Sequence, residues 1–433
     1  MNGTRSIFIL SREYPPSTVG GTSTVARNLA IGMTANEWRV HVVTAHVGSE
    51  DVREHIDGIS VLRVGTGLVY NQGTGLRDQS LRAHRKIHAA AERLAQEVGV
   101  PDLLAIPDIF CYPEAARLAQ KYSLPLMNVL LQDFRAITPY DRGSHQVTNG
   151  VTADREHLLR IEEKALRGSD HTVFISEALR DAIGSYYPDL RAPSQVVHLG
   201  IDSSEIAAVE DDLGRIDRRT RLQAVVGPGV PLLVACGRLV PVKGFSVLLE
   251  ALARLGPVQR PHASPAQPHL ALIGVGPEEA HLRRRAAKLG LERHVTFLGD
   301  IPRHEALGWM SVADVAVVPS LWESFCYVCA EMMALGRPVV ASHVDSLREL
   351  IPDDSFGYRV PVVGPSGSRH IGPDALAGCL RAALEHPVEA TARGMRARDR
   401  IMENFTNERF GQRISTIGIQ LIEARAGRIP SDS

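Results

Sequence analysis

Cysteine is scarce in this chain. Five thiols are scattered over 433 residues, an odd number without secretory context, which excludes a disulfide framework and fits reduced thiols in a cytoplasm. Cys326 and Cys329 form a C-x-x-C. No second pair completes a zinc site, and Cys329 falls on an apolar helix face, where packing is its natural role. Charge of one sign is lacking too: 48 Lys plus Arg stand against 49 Asp plus Glu, so nothing in the bulk charge draws the chain to nucleic acid or to an anionic membrane. No apolar run approaches a membrane span, and the first residues do not form a signal-peptide pattern. The G-x-G-x-x-G fingerprint of dinucleotide binding is absent, as is any D-x-D pair of metal-binding acids.

What is present is an ordinary soluble composition, 44% hydrophobic and 22% charged, long enough for two or three domains with sizeable cores. The chain is organised around Val315–Ser342, VAVVPSLWESFCYVCAEMMALGRPVVAS. Val315 to Val318 reads as a buried strand, broken by Pro319, Ser320 and Trp322. Ser324 takes an N-cap position, and Phe325, Val328, Cys329, Met332 and Leu335 then recur on one helical face. Gly336 stands where a C′ glycine belongs, Pro338 stops the helix, and Val339-Val340-Ala341 opens another strand. This is a βαβ unit, which predicts a parallel sheet with a right-handed crossover.

Two acids punctuate the unit. Glu323 lies in the turn before the helix and Glu331 about two helical turns further in. A helix N-terminus offers free N–H groups and a partial positive charge to an anion such as a diphosphate. Carboxylates on either side of such a site are suited to accepting hydrogen bonds from sugar hydroxyls, one from a transferred hexose and one from a ribose. Taken alone, the two acids read equally well as a surface and a capping glutamate.

The rest of the chain alternates in the same way. Ser6 to Leu10 is a strand, followed by a loop ending in Gly20-Gly21 and a helix, Thr22 to Met33, with Val25, Leu29 and Met33 on one face. Val40 to Thr44 is the next strand, and Gly58 to Val64 reads as an edge strand pair. The paired glycines allow a ligand close to the backbone at a helix start, and they also fit a plain tight turn. Further strands at 103–106, 126–131 and 171–175, with helices between, complete a doubly wound α/β domain. Ser203 to Val230 reads as a linker with a short helix. A second series begins at Leu232 and runs through the loop Gly237-Arg238-Leu239-Val240-Pro241-Val242-Lys243-Gly244, the loop Gly274-Val275-Gly276-Pro277, and the central βαβ unit. The pattern weakens after Gly357, and helices resume from Asp374.

With Arg238, Lys243, Glu323 and Glu331 in this order, the chain resembles the retaining glycosyltransferases of family 4. The resemblance runs through EYPPSTVGGTSTVARNLA, VVHLGID, ACGRLVPVKGFSVLLEAL, LIGVGPEEAHLRRRAAKLGL, VTFLGDIPRHEALGWMSVADVAVVPS and ESFCYVCAE, nearly the whole chain. It implies the α/β GT-B fold, two Rossmann-like domains facing across a cleft: residues 1–202 for the acceptor, 203–405 for the nucleotide-sugar donor, and a C-terminal helix, 406–433, crossing back to the first domain. It also implies roles. Arg238 and Lys243 neutralise the departing diphosphate, whose negative charge grows in the transition state. Glu323 positions the donor sugar, and Glu331 binds the ribose. Amides near Phe325, Cys326 and Tyr327 contact sugar and phosphate. Gly20 and Gly21 admit phosphate and acceptor, and Gly274 and Gly276 approach the nucleotide.

Three positions depart from the family pattern. Glycine is frequent where Ser324 and Cys326 stand, and a His-Asp pair is frequent where this chain has Gln132-Asp133. Glutamine is no base, although it can bond an acceptor or a sugar hydroxyl. Asp133 fits either acceptor orientation or a structural turn. An acceptor that is already nucleophilic, such as an amine or a thiol, fits this exchange.

The expected reaction is therefore retaining sugar transfer from a nucleotide diphosphate sugar to a small-molecule acceptor, on the specialised-metabolite (antibiotic-biosynthesis) side of the family, in a cytoplasmic protein with no nucleic-acid or membrane partner. No metal and no cofactor beyond the co-substrate is expected, with Arg238, Lys243 and the helix N-terminus in a metal's place. The alternatives are a lipid- or sugar-phosphate-directed transferase, or a nucleotide-sugar-binding protein without turnover. Oligomeric state has no signature in the sequence.

Overall fold

The computed structural model describes residues 4–16, 21–67, 76–136, 150–209, 220, 227–261 and 264–427. They form two units. The described residues up to Phe134, those from 150 to Gly200 and those from Asn407 onward make unit 1, and Ile201–Thr406 belongs to unit 2.

Unit 1 is built on eight strands: β1 (Ser6–Ser11), β2 (Arg39–His46), β3 (Val52–Ile56), β4 (Ile59–Gly65), β5 (Leu103–Ile106), β6 (Leu126–Leu130), β7 (His171–Phe174) and β8 (Ser194–Val196), in the order β3-β4-β2-β1-β5-β6-β7-β8. All neighbours are parallel except β3 and β4. β1 and β2 are buried along nearly their whole length, as strands inside a parallel sheet are. Phe8 and Leu10 of β1 pack with Val43, Ile87, Ala91, Leu94, Ala115 and Leu118. The helix Gly21–Ala35 packs against the helix Asn407–Ala426, and Trp38 Nε1 donates to Ser415 Oγ at 2.8 Å.

One sequence expectation is corrected here. The Gly58–Val64 stretch is not an edge pair: β4 is internal, paired with β2, and the edge is β3. β3 escapes the hydrophobic pattern because nearly all of its residues are exposed. It reaches β4 through a tight Asp57-Gly58 turn with φ of 53° and 79°, the left-handed pair of a two-residue hairpin.

Unit 2 carries a six-stranded, all-parallel sheet: β9 (Leu232–Cys236), β10 (His269–Ile273), β11 (Val295–Gly299), β12 (Val315–Val318), β13 (Val339–Ser342) and β14 (Tyr358–Val360), ordered β11-β10-β9-β12-β13-β14. Its core joins Leu233, Leu248, Leu252, Leu270, Val317, Val340, Leu376 and Leu380. The region after Gly357, weak in pattern, supplies β14 and the short pair β15 (Val362–Val363) and β16 (His370–Ile371). Among the described residues no helix is long and apolar enough to cross a membrane.

Candidate active site

In unit 2 the chain winds from β9 to β10 and β11 on one side, and from β12 to β13 and β14 on the other. Strand order reverses between β9 and β12. In open α/β sheets, ligands bind in the crevice outside the carboxyl ends of the strands at such a point. The sequence-predicted donor residues of this unit cluster on these loops. Arg238 and Lys243 follow β9, Gly274 and Gly276 follow β10, and Glu323, Phe325 and Cys326 follow β12, with Tyr327 and Glu331 in the next helix.

Lys243 closes a 3-10 turn, Pro241–Lys243, which the N–H of Leu321 ties to the β12 loop through Val242 O at 2.7 Å. Its Nζ lies 2.6 Å from Glu323 Oε1, which also accepts from Ser320 Oγ at 2.7 Å. Glu323 is 7% exposed, so the pair is largely shielded from water. Burial pulls the lysine pKa down, but the charges of Glu323 and Cys326 and the hydrogen bond outweigh it, and the value stands above that of an ordinary lysine. Arg238 is exposed and has no ion-pair partner among the described residues. One cation is thus held by an acid and the other is open to an incoming anion.

The Glu323 backbone is pinned from β13's side. Its N–H reaches Asp345 Oδ2 at 3.4 Å, and its carbonyl accepts from Ser346 Oγ at 3.1 Å. Arg369 in turn donates to Asp345 at 2.5 Å and to Leu321 O at 3.2 Å. Burial pushes the Asp345 carboxyl above its usual range, against the pull of Arg369.

The helix starts later than the sequence implies. Ser324 is not its N-cap: the helix is Tyr327–Ala334, and Cys326 stands at its head with φ 76° and no side-chain cap bond. The chain makes an extra left-handed turn there, so the resemblance's glycine at this position has a backbone reason. The helix is buried nearly all round, Glu331 included, rather than on one face, and Val328 is only half-buried. Phe325 is buried edge-on to Tyr327 with ring centroids 5.3 Å apart. Gly336 ends the helix as the sequence implies. At φ 66° its N–H donates to Met333 O, and that of Arg337 donates to Met332 O, the Schellman pattern.

Glu331 is 2% exposed. Its Oε1 lies 2.8 Å from Arg303, which also reaches Glu205 at 2.6 Å. Glu331 also marks the end of β9 electrostatically: burial and then its charge push the Cys236 thiol up to about 12. Gly274 and Gly276 meet the β9 loop backbone to backbone. A Cβ on Gly274 would stand 2.0 Å from Gly237 O, and one on Gly276 2.4 Å from Leu239 O. Their lack of side chains holds two loops of the site together.

In unit 1 the strand order reverses between β1 and β5. Arg12, after β1, lies 2.8 Å from Asp108, after β5, and its guanidinium carbon sits 3.5 Å over the Phe110 ring. Gln132 lines a small pocket with Arg12, Thr22, Asp108, Phe110 and Phe134. Asp133 does not join them there: it is buried and accepts from Tyr186 OH at 3.1 Å. Gly21 opens the helix Gly21–Ala35, while Gly20 lies outside the described residues. A cavity of about 1070 Å³ near the amino ends of β6–β8 contains none of the candidate residues.

Sequence reasoning missed Arg303, Glu205, Asp345, Arg369, Arg12 and Asp108. The signal available for Asp108 and Arg12 was their place just after strands; the others have none short of the fold.

Comparison with known proteins gives two family matches in series. Residues 20–200 match the model for a glycosyl transferase 4-like domain, and residues 219–366 match that for glycosyl transferases group 1. The chain is 30% identical to a GDP-mannose-dependent alpha-(1-6)-phosphatidylinositol monomannoside mannosyltransferase of Mycolicibacterium smegmatis, over 62% of this chain and 68% of that one. It is 26% identical to glycogen synthase of Mycobacterium tuberculosis, over 92% of this chain and 91% of the relative. Among solved structures, sucrose-phosphate synthase from Thermosynechococcus elongatus aligns with a TM-score of 0.74 at 22% identity, covering 97% of this chain and 100% of that one.

Proposed function

The chain belongs to the family 4 glycosyltransferases of GT-B fold, and we propose that it transfers a sugar from a nucleotide diphosphate sugar to a small-molecule acceptor with retention of anomeric configuration. The observation that carries this reading is the Lys243–Glu323 pair at the strand-order reversal of unit 2, at 2.6 Å, with the exposed Arg238 on the same loop. A leaving diphosphate needs preorganised positive charge. Lys243 and Arg238 supply it, and the N–H groups at the head of Tyr327–Ala334 add to it. These groups take the place of a divalent cation. Glu323, anchored at one oxygen by Lys243 and Ser320, presents the other to donor hydroxyls, and Glu331 does the same for the ribose.

Glu323 is itself committed to a cation. Retention then follows a front-face course: the departing phosphate oxygen takes the acceptor's proton as the C1–O bond breaks on the same side. On the acceptor side, Gln132 beside the Arg12–Asp108 pair offers amide donors and an acceptor but no base. That suits an acceptor whose nucleophile needs little deprotonation, an amine or a thiol of a specialised metabolite. The two relatives' names span a glucan and a phosphoinositide mannoside, so this choice rests on Gln132 rather than on the resemblance.

The test is a panel of nucleoside diphosphates and their sugars, read by thermal shift and then by donor consumption with candidate acceptors in the presence of EDTA. A midpoint rise confined to one base, lost in Arg238→Ala, and EDTA-insensitive transfer giving the donor's anomeric configuration are expected. Donor binding without transfer or hydrolysis for any acceptor would mark a binding protein instead. An unchanged acceptor range and rate in Gln132→His would remove the argument for an amine or thiol.

A further inference from the structure

Arg303 breaks a local rule. It is the first residue of the helix Arg303–Ser311, directly after the N-cap Pro302, which offers no side-chain cap. The helix macrodipole disfavours a cation in the first turn. A residue that violates a local preference needs a compensating partner elsewhere, and Arg303 has two. Its NH2 lies 2.8 Å from Glu331 Oε1, and its Nε lies 2.6 Å from Glu205 Oε2 on the helix Ser203–Val209.

The needs are mutual. Glu331 is almost fully buried in the middle of an apolar helix, where an ionised carboxylate is costly unless a cation and hydrogen bonds compensate it. Arg303 is the ion-pair partner the fold gives it. The arginine side chain itself is half-exposed, so it spans from water at Glu205 to the buried acid beside the end of β9. Burial pulls the guanidinium's pKa down, yet the two acids together hold it above that of an ordinary arginine.

We infer that Arg303 is the positioning residue for Glu331: it takes up Oε1, fixes the carboxylate's plane, and leaves Oε2 to accept from the ribose hydroxyls, while Glu205 steadies it from the opposite side. The inference rests on the reading of Glu331 as the ribose acid and extends it to a three-residue brace. Its consequence is selectivity. A hydroxyl that bonds a fixed, ionised carboxylate is worth roughly tenfold or more in affinity, and a carboxylate free to rotate gives part of that up.

The experiment measures dissociation constants by calorimetry on the full chain, for UDP, ADP and GDP and for their 2′-deoxy and 3′-deoxy forms. The proteins are the native chain, Glu331→Gln, Arg303→Gln, Arg303→Lys and Glu205→Gln, with melting midpoints recorded for each. The native chain is expected to prefer the ribonucleotide by roughly tenfold or more. Glu331→Gln should erase the preference and Arg303→Gln shrink it several-fold. Arg303→Lys should restore part of it, and Glu205→Gln should lower it by a smaller factor.

If Glu331→Gln erases the preference while Arg303→Gln and Glu205→Gln keep it, the positioning role is wrong and the ribose reading stands. If the native chain does not distinguish ribose from deoxyribose, or Glu331→Gln retains the distinction, the ribose reading falls and the brace falls with it. A lowered melting midpoint with unchanged selectivity in the Arg303 variants also overturns the role, because it shows a structural contact only. Should Arg303→Gln not fold, Arg303→Lys and Glu205→Gln decide by the same ratio.

Discussion

Lys243 is the side chain on which stability and the proposed chemistry converge. It is the cation nearest Glu323, at 2.6 Å, and the proposed reaction needs it for the leaving group. Lys243→Met removes the charge and keeps much of the stem. We expect kcat to fall by about 10²–10³, the usual scale for losing one preorganised charge-stabilising group, with a lower melting midpoint because Glu323 keeps Ser320 but loses its cation. Steady-state kinetics beside calorimetry check both, and an unchanged kcat would remove Lys243 from the chemistry. Cys326 makes a different claim. At φ 76° it occupies backbone space that is costly for side chains, most of all for branched ones. Cys326→Val is expected to destabilise by about 1–3 kcal/mol. Cys326→Gly should stay near the parent, because relief of strain offsets the lost burial. Denaturant titration distinguishes the two, and equal losses would mean that the thiol's packing matters rather than the turn. Lys243, Glu323 and Glu331 stood out in the sequence through the family resemblance of the short motifs that hold them, and the fold pairs Lys243 with Glu323 and Arg303 with Glu331. Arg303 and Arg369 did not stand out, since their acids lie 28 and 24 residues away. Arg12 meets Asp108 across 96 residues, a pairing only the sheet creates.

At the level of elements, the strands of the central βαβ unit and its glycine stop were readable because apolar period and C′ chemistry are local. The helix start was not, because the pull of Glu323 toward Lys243 and the left-handed Cys326 are tertiary facts. β3 was unreadable for a simpler reason, its lack of a buried face. A helix crossing gives the sharpest test at this scale. A Cβ on Gly411 would stand 2.5 Å from Gly32 Cα, and one on Gly32 would stand 2.7 Å from Gly411 Cα. Helix propensity alone makes Gly→Ala in a helix interior stabilising by about 1 kcal/mol. The crossing reverses the sign, since both obstacles are backbone that cannot rotate away. Gly411→Ala is therefore expected to cost about 1–3 kcal/mol in equilibrium unfolding, with little effect on nucleotide binding in unit 2. A stabilised variant would show that the helices separate at no cost.

Across the whole molecule, buried histidines set the acid limit. His41, His171 and His269 are buried. Each has a pKa below the ordinary 6.5, first through burial, helped at His41 by Arg39 and at His269 by His294. Neither ring nitrogen of His41 has a hydrogen-bond partner among the described residues. A base whose native pKa is depressed binds fewer protons folded than unfolded, so its contribution is present above pH 6.5 and is lost as pH falls through 6.5 toward the native value. Lys243 has the opposite sign. Its raised pKa gives stability that is complete below the ordinary lysine value of 10.5 and is lost only as pH rises through the native value. Stability should therefore be flat near neutrality and fall on the acid side first. His41 and His171 lie in unit 1 and His269 in unit 2, so both units should share the acid loss. Melting midpoints from pH 8 down to pH 5 on the native chain and on His41→Gln, His171→Gln and His269→Gln separate this cause from carboxylate protonation. Each replacement should lower the neutral midpoint slightly and flatten the acid slope. An acid slope that survives all three replacements would overturn the histidine cause.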